Sequence, residues 1–290
     1  MRRCGVAAAL TCALCACTLL TSTDGLTGGA YAPDASLTPP TAPPNAPPPP
    51  SGDDAGGDAA PDAPTPVTAD QHRAIVMADG PLAYYRLADS AGNVAKDETG
   101  NFDGTYFGAL GYAKAGPFAG QSRSVHFGGS PQRIEANALA NRGGSWTDLT
   151  IEAWVASELA PGSEGDIAQF ADPSGSTVIS LFRDDTTNGI KAHVGDFYPQ
   201  ASAMLLDTDW HHVALTMASN TITLYVDGAS VAQTAGAQAV PASGLFGIGV
   251  DWNAADGGAT RSSYWHGRLA EIAIYEKALT ATQIATHAMR

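Results

Sequence analysis

The sequence predicts an all-β domain in which two antiparallel sheets pack face to face. Short runs of aromatic and β-branched residues alternate with polar residues, and Gly, Asn and Asp separate the runs. The clearest runs are 213–217 and 222–226, where every second residue is large and apolar, as in strands with one buried face. Asp227 and Gly228 follow and predict a hairpin turn, since both tolerate positive φ. Residues 69–290 contain no cysteine, so the domain is expected to fold without disulfides.

The first residues are typical of an export signal. Two arginines precede an apolar run, Val6 to Ala16, that is too short to span a bilayer. Residues 14–17, Leu-Cys-Ala-Cys, resemble a bacterial lipobox, in which the last cysteine is lipidated after cleavage. We therefore predict a lipoprotein signal peptide over residues 1–16, with Cys17 as the acylated N-terminus of the mature chain. An ordinary secretory signal is the alternative.

Residues 17–68 are predicted to form a disordered tether. They contain most of the prolines of the chain, including an unbroken run at 47–50, together with Ala, Thr, Gly and Asp. This composition cannot bury enough apolar surface to offset the entropy lost on ordering the chain. The simplest role is a passive spacer between anchor and domain, and a proline-motif ligand is the alternative.

The charge of the chain argues against one large class of partner. The formal net charge is −14 at pH 7, and only four lysines are present. Nucleic acids and anionic lipid headgroups are bound largely through Lys and Arg, so we expect neither as a partner, and contact with a membrane only through the lipid anchor. With the signal peptide, this predicts an extracytoplasmic protein, an outer-membrane lipoprotein on the periplasmic or outer surface, with secretion as the alternative.

Two short helices are expected to flank the sheets. One is predicted over residues 70–78, before Asp79-Gly80-Pro81, and the other over residues 280–289. Thr280 is a suitable N-cap for the second helix, because Gln283 occupies the capping-box position three residues later. The domain is expected to span residues 69–290.

Five segments resemble, in the same order, the laminin G-like, concanavalin A-like jelly-roll family. The central hairpin begins Trp-His-His-Val-Ala at Trp210, and its second strand ends Tyr-Val-Asp-Gly at Gly228. The other four are similar to the opening strand, the loop after it, an early core strand and the closing strand with its helix, at residues 83–87, 97–106, 150–155 and 267–280. The resemblance implies a jelly-roll sandwich of a kind often used to bind sugars. It also implies that the first and last strands lie side by side.

The adjacent histidines His211 and His212 do not predict a metal site. Neighbouring residues of a strand point to opposite faces of the sheet, so the two rings cannot bind one ion. His211 has the parity of Val213 and Leu215, and we expect it to face inward as a structural histidine.

The segment Glu164-Gly-Asp166-Ile-Ala-Gln169 is a candidate for catalysis. It differs by one residue from the Glu-x-Asp-x-x-Glu spacing that supplies nucleophile and acid in family 16 glycoside hydrolases, which share this fold. Retaining hydrolysis requires two carboxyl groups roughly 5 Å apart, and Gln169 replaces the second of them. We therefore expect the protein not to be an enzyme.

Calcium is the candidate cofactor, in a structural role. Hard divalent cations take carboxylate and carbonyl oxygens from loops, and Asp97, Asn101 and Asp103 lie in the loop Asp-x-x-Gly-Asn. The family resemblance implies that Glu271 on the last strand approaches this loop, although Ala270 stands where the family usually has an acidic residue. In the alternative, Asp97 and Asn101 only shape a turn through side chain to backbone hydrogen bonds.

Glycan binding requires exposed aromatic rings beside polar groups. Phe197 and Tyr198 lie in loop-like sequence, and so does Trp252 between Asp251 and Asn253. Trp252 is the best single candidate for stacking on a sugar, and the alternative is that it folds back into the domain. Three further residues are candidate polar companions of these aromatic rings: Arg183, Asp184 and His193.

Together these features predict a non-catalytic recognition module on the bacterial cell envelope, with a glycan or a cell-surface protein as partner. A structural or adhesive domain without a sugar site is the competing interpretation, and an enzyme that uses the jelly-roll cleft is the third. Exposed aromatic rings around a calcium-bearing rim would favour the first interpretation, and a flat apolar or unpaired strand edge the second.

Overall fold

The computed structural model describes residues 65–120, 122–204, 207–236, 239–241, 243–252 and 261–290. The predicted signal peptide, Cys17 and the tether as far as residue 64 lie outside these residues. The helices are α1 (Ala69–Ala78), α2 (Asn137–Ala140) and α3 (Ala281–His287). The strands are β1 (Ala83–Tyr85), β2 (Val94–Ala95), β3 (Gly104–Phe107), β4 (Gly111–Ala115), β5 (Arg123–Gly128), β6 (Arg133–Glu135), β7 (Ser145–Trp146), β8 (Leu149–Ser157), β9 (Gly165–Ala171), β10 (Thr177–Arg183), β11 (Gly189–Val194), β12 (Gln200–Met204), β13 (His211–Ala218), β14 (Thr221–Val226), β15 (Ala229–Ala235), β16 (Val240–Pro241), β17 (Leu245–Ile248), β18 (Asp251–Trp252), β19 (Arg261–Ser262) and β20 (His266–Tyr275).

Two large antiparallel sheets pack face to face, which confirms the predicted two-sheet sandwich. The helix-covered sheet has the strand order β15-β14-β13-β8-β20-β5-β4, with β1 also paired to β20. The cleft sheet has the order β12-β11-β10-β9-β17-β6-β3-β2. Two small ribbons pair β7 with β16 and β18 with β19.

The central hairpin forms as its alternation predicts. Val213 and Leu215 on β13 face the core between the sheets, and Leu215 lies opposite Leu224 on β14. The turn from β14 to β15 uses Asp227 and Gly228 with φ of 49° and 78°, values that Gly adopts freely and Asp tolerates. The predicted hairpin is therefore confirmed.

The first and last strands are neighbours, as the family resemblance implied. Tyr84 lies opposite Ala273 and Tyr85 opposite Ile272 in the antiparallel pair of β1 with β20. The two faces of β1 contribute to different hydrophobic clusters. Tyr85 packs into the core between the sheets, and Tyr84 packs beneath the helices.

Both predicted flanking helices form, each with a complete capping box. The Thr68 side chain accepts from the Gln71 backbone at the start of α1, and Thr280 accepts from the Gln283 backbone at the start of α3. In each box the glutamine side chain returns a bond to the backbone of the threonine, so two otherwise unpaired N–H groups are satisfied. Within the described residues, no helix has both the length and the apolar character needed to cross a membrane.

A buried carboxylate links the helices to the helix-covered sheet. Glu152 on β8 is 1% exposed, and its oxygens lie 2.8 and 3.0 Å from Nδ1 of His287 on α3. The Tyr275 hydroxyl donates to the same carboxylate at 2.7 Å, and His212 Nε2 lies 3.3 Å from it. The second nitrogen of His287 lies 3.0 Å from the Asp79 carboxylate at the end of α1.

These contacts hold His287 as an imidazolium. Carboxylate oxygens only accept hydrogen bonds, so a ring with both nitrogens on carboxylates carries both protons. Burial lowers the pKa of His287, but Glu152 and Asp79 outweigh burial, and the net pKa is raised. Burial also raises the pKa of Glu152, but the hydrogen bonds to His212 and His287 outweigh it and hold the pKa well below its usual range.

His211 has the inward parity expected for it, but its side chain is only half-buried. It is the first residue of β13, opposite the core residue Val155, and its side chain is 22% exposed. Its two ring nitrogens face different carboxylates, Asp227 at 2.7 Å and Asp207 at 3.0 Å. The hydrogen bond with Asp227 is the main cause that raises the pKa of His211 to about 9.

The His287 contacts predict how stability depends on pH. Because the folded-state pKa of His287 is raised, its contribution is complete below the unfolded value and is lost as pH rises through the folded value. We expect His287→Leu to lower the free energy of unfolding by about 3 to 5 kcal/mol near pH 6, since it leaves Glu152 buried without this partner. The loss is expected to shrink as pH rises through the folded-state pKa of His287, because the wild-type ring then becomes neutral too.

Urea unfolding across this range measures the difference. Both proteins carry His211→Ala, because the pKa of His211 is also raised, to about 9. A difference that stays constant from acid to alkaline pH would contradict the assignment of a charged His287.

Candidate functional site

A polar cleft of about 160 Å³ opens on the outer face of the cleft sheet. Its strand residues alternate with core residues: Ser180 follows Ile179 on β10, and His193 follows Ala192 on β11. Strand periodicity therefore directs polar side chains outward without any loss to the core. The lining residues are Glu164, Asp166, Gln169, Thr177, Ser180, Phe182, His193 and Asp251.

Gln169 organises one side of the cleft. Its Oε1 accepts from the Trp252 backbone N–H at 2.9 Å, and its Nε2 donates to Thr177 Oγ1 at 2.7 Å and to the Asp251 carboxylate. A backbone N–H only donates and a carboxylate only accepts, so these partners fix the orientation of the amide. The Asp251 carboxylate also accepts from the Ser262 hydroxyl at 3.0 Å. Hydrogen bonds therefore connect the polar side chains along this wall of the cleft.

The floor of the cleft contains a buried carboxyl group. Asp166 is 3% exposed and accepts a hydrogen bond from the Ser180 hydroxyl. Burial, and then the negative charge of Asp251, raise the pKa of Asp166 well above its usual range, which favours the neutral acid. Glu164 accepts from the Ser263 hydroxyl at 2.6 Å. Asp166, Glu164 and Asp251 thus each accept a hydrogen bond from a hydroxyl or amide side chain.

An exposed aromatic ring stands beside the cleft. Tyr198 is 56% exposed, and its ring stacks on His193 with 4.3 Å between centroids and 21° between planes. His193 lines the cleft, and its Nε2 donates to the Gly195 carbonyl at 2.6 Å. Burial lowers the pKa of His193, so the ring is neutral at neutral pH. A flat exposed ring beside hydroxyl, amide and carboxyl groups is the combination that pyranose recognition requires.

The predicted exposure of Trp252 is wrong. The indole is 2% exposed and packs against Ala171 and Val250, with the Arg261 guanidinium 4.9 Å from the ring centroid. The β18–β19 ribbon turns the ring inward, and the absence of a side chain at Gly247 leaves space for it, since a Cβ there would overlap the indole. Trp252 therefore folds back into the domain, as the alternative interpretation stated.

The other predicted glycan-site residues have mixed positions. Asp251 lines the cleft, and Tyr198 stands beside it. Phe197 is half-buried and packs against the core between the sheets. Asn253 lies outside the described residues.

Two of the candidate polar companions of the aromatic rings form hydrogen bonds that stabilise the fold. Arg183 is buried and donates to the Ser163 carbonyl at 2.6 Å, and Asp184 accepts from the hydroxyl groups of Thr186 and Thr187. The third companion, His193, does line the cleft.

Sequence reasoning did not select Thr177 and Ser180, which contribute hydroxyl groups to the cleft. Ser180 interrupts an otherwise apolar run between Val178 and Phe182, and such an interruption marks the outer face of a strand. The pattern alone does not reveal which outward residues of different strands meet in a cleft.

The Asp97 loop does not fit a cation. Both carboxylate oxygens accept hydrogen bonds from protein donors: Oδ1 from the backbone N–H groups of Tyr84 and Thr99, and Oδ2 from those of Asn101 and Phe102 and from the Thr99 hydroxyl. These distances lie between 2.6 and 3.1 Å. N–H and O–H groups point hydrogens at the oxygens that a cation would need, so the arrangement fits the alternative of a turn.

The carboxylates of Asp103 and Glu271, two further predicted calcium ligands, also accept hydrogen bonds from protein donors. Asp103 accepts from the Asp97 backbone and from Lys96 Nζ, each at 2.9 Å. Glu271 is buried beneath the helices, where it accepts from the Tyr84 hydroxyl and lies 3.6 Å from Arg86 Nε. Calcium binding by this chain stays a prediction, and the four residues do not provide a shared site for it.

Comparison with known proteins identifies the superfamily of the chain. A family model described as the concanavalin A-like lectin/glucanases superfamily matches residues 128–285, more than half of the sequence. The chain belongs to this superfamily. No curated protein sequence matches it.

Solved structures with the same fold include binding domains and parts of enzymes. Domain 4 of AbnA, an extracellular GH43 arabinanase from Geobacillus stearothermophilus in complex with arabinotriose, is 18% identical with a TM-score of 0.53, over 72% of this chain and 98% of that one. The binding domain of Paraclostridial Mosquitocidal Protein 1 is 15% identical with a TM-score of 0.56, over 72% and 52%. A Trypanosoma rangeli sialidase mutant with trans-sialidase activity is 16% identical with a TM-score of 0.57, over 74% of this chain. The match spans only 33% of that sialidase, and at these identities the likeness establishes the fold alone.

The Asp97 bonds predict the effect of removing the carboxylate. Asp97→Ala leaves buried N–H groups without an acceptor, and we expect it to lower the free energy of unfolding by about 3 kcal/mol. Because no cation is required, the loss is expected to be equal in calcium and in chelator. Urea unfolding under both conditions measures this, and a loss seen only with calcium would show that an ion is bound at Asp97.

Proposed function

We propose that the protein is a non-catalytic glycan-binding module and that the cleft beside Tyr198 is its binding site. The observation that carries the proposal is the exposed Tyr198 ring, stacked on His193 at the border of a cleft with several hydrogen-bonding side chains. The ring offers an apolar face to the C–H side of a pyranose or furanose. Glu164, Asp251 and the hydroxyl groups offer acceptors and donors to the sugar hydroxyls.

The charge of the cleft favours neutral sugars. Three carboxyl groups line it, and its described lining residues include neither Lys nor Arg. His193 adds no positive charge, because burial lowers its pKa. A sugar carboxylate would therefore meet the carboxylates of Glu164 and Asp251 without a cationic partner, which opposes binding. We propose that the ligand is a neutral oligosaccharide rather than a sialylated one.

The hydrogen bonds of Gln169 support a binding role over hydrolysis. Glutamine holds Asp251 and the Trp252 backbone together by donating to one and accepting from the other. A carboxylate at position 169 could not donate to Asp251 and would repel it. The position that would supply the second catalytic carboxylate thus maintains the shape of the cleft wall.

The comparison with the arabinanase domain supports the same proposal. That domain was solved with arabinotriose, a neutral oligosaccharide, and the alignment covers nearly the whole of it. Arabinotriose is therefore a suitable first probe, within a panel of neutral and sialylated oligosaccharides.

Stacking on Tyr198 predicts the effect of substitution. We expect Tyr198→Ala to weaken binding of a neutral oligosaccharide by about 1 to 3 kcal/mol, or roughly 5- to 150-fold, because the ring face is removed. Tyr198→Phe is expected to keep most of the affinity, because the stacking face remains. Isothermal titration of the full chain with panel members, arabinotriose first and sialyllactose for comparison, measures these affinities.

Trp252→Ala is the matched control for Tyr198→Ala. It removes an aromatic ring that is buried, so we expect a loss of about 3 to 5 kcal/mol in the free energy of unfolding, with affinity intact in the folded fraction. Equal binding by Tyr198→Ala and wild type would place the glycan elsewhere. Cleavage of a panel oligosaccharide that is abolished by Glu164→Gln would contradict the non-catalytic role.

We propose further that the module is tethered outside the cytoplasm by a lipid on Cys17, as the lipobox-like sequence predicts. More than one acyl chain would hold it stably, since each buried methylene contributes about 0.8 kcal/mol. We expect wild-type protein to incorporate labelled palmitate and to fractionate with membranes, and Cys17→Ala to do neither. Identical fractionation of the two proteins would contradict the anchor.

A further inference from the structure

We propose that His126, Glu158 and His266 form a binding site for a divalent transition-metal cation such as zinc, on the outer face of the helix-covered sheet. One nitrogen of each ring and one carboxylate oxygen of Glu158 all lie within 4.8 Å of one another. Imidazole and carboxylate together are a donor set that zinc uses, and three protein ligands leave one tetrahedral position for water or a ligand oxygen. The site is separate from the cleft, which lies on the other sheet.

The backbone ladder brings the three residues together. On the antiparallel pair of β5 with β20, His126 lies opposite Arg268 and His266 lies opposite Gly128. His126 and His266 are therefore diagonal neighbours on one face of the sheet, within reach of each other. Glu158 directly follows β8 on the other side of β20, and its backbone N–H donates to the His266 carbonyl at 2.9 Å. Three adjacent chain segments thus each supply one ligand.

The distances require only side-chain adjustment. His126 Nε2 lies 3.0 Å from Glu158 Oε2. Ligand bonds of about 2.1 Å place the ligand atoms of a tetrahedral zinc ion roughly 3.4 Å apart. The widest separation in the cluster is within 4.8 Å, so the movement needed is about 1.5 Å and is available from side-chain rotation.

His266 also shows the orientation typical of a metal ligand. Its Nδ1 lies 3.2 Å from the Glu158 carbonyl oxygen. A carbonyl only accepts, so Nδ1 carries the proton and a neutral ring keeps its lone pair on Nε2. Metal-binding histidines usually donate their other ring N–H in this way, which fixes the tautomer and the ring orientation.

The side chain of Arg268 does not occupy the cluster. Arg268, which lies opposite His126, donates from Nη2 to the Thr208 carbonyl at 3.0 Å, and its guanidinium lies 5.0 Å from the Trp210 ring centroid. The side chains of His126 and Glu158 are 28% and 35% exposed, so an ion can enter from solvent.

Titration of the full chain with cobalt and zinc tests the site. The four N-terminal cysteines are replaced by serine, because thiolates also bind these metals. We expect one cobalt ion per chain, with the visible absorption of tetrahedral coordination, and its displacement by zinc. His126→Ala, His266→Ala and Glu158→Gln are each expected to weaken binding by more than about tenfold, because each removes one ligand.

His211→Ala is the matched control. His211 also pairs with two carboxylates, but they lie on opposite ring nitrogens and cannot converge on one ion, so binding is expected to be unchanged. Glu158→Gln keeps the size of an exposed side chain and remains informative if a histidine variant fails to fold. The proposal is overturned if no saturable binding occurs at millimolar metal, if folded Glu158→Gln binds as tightly as wild type, or if His211→Ala alone abolishes binding.

Discussion

A carboxylate buried on the central strand of the helix-covered sheet must be paired, and Glu152 obtains its counter-charge from the C-terminal helix. The cost of burying an unpaired charge is several kcal/mol, a large part of the net stability of a domain. Detachment of α3 would leave Glu152 without His287, and the contact of His287 with Asp79 extends the dependence to the end of α1. Both terminal helices are thereby held on one sheet by a single cluster of charges.

This arrangement leaves the opposite sheet available for the proposed recognition. Val76 of α1 and Ile284 of α3 pack against Tyr84 and other residues of the helix-covered sheet, whereas the outward positions of the cleft sheet carry polar side chains. Because successive strand residues face opposite sides, the core retains Ile179 and Leu181 while Ser180 faces the cleft. A rigid sandwich can hold a binding surface in a fixed shape, which reduces the entropy lost when a ligand binds.

Local patterns predicted local structure well. The alternation at 213–217 and 222–226, the Asp-Gly turn and the capping box at Thr280 each depend on residues close in sequence, and each was found as predicted. The predicted exposure of Trp252 was wrong because the polar, glycine-rich sequence around it is typical of a loop. Its burial depends instead on the pairing of β18 with β19 and on the space that Gly247 leaves for the indole.

The candidate sites depend on contacts that sequence spacing does not encode. Asp97 shows this limit, since a carboxylate in a glycine-containing loop serves equally well as a cation ligand or as an acceptor for backbone N–H groups. The hydrogen bonds in the structure favour the second role. The cluster of His126, Glu158 and His266 joins residues 140 positions apart at its extremes, and only the order of β5, β20 and β8 in the sheet brings them together. Gln169 shows a related limit for chemistry. It occupies a position where the spacing associated with hydrolysis requires a carboxylate, and its amide instead forms hydrogen bonds along the cleft wall. The fold alone therefore does not determine the activity.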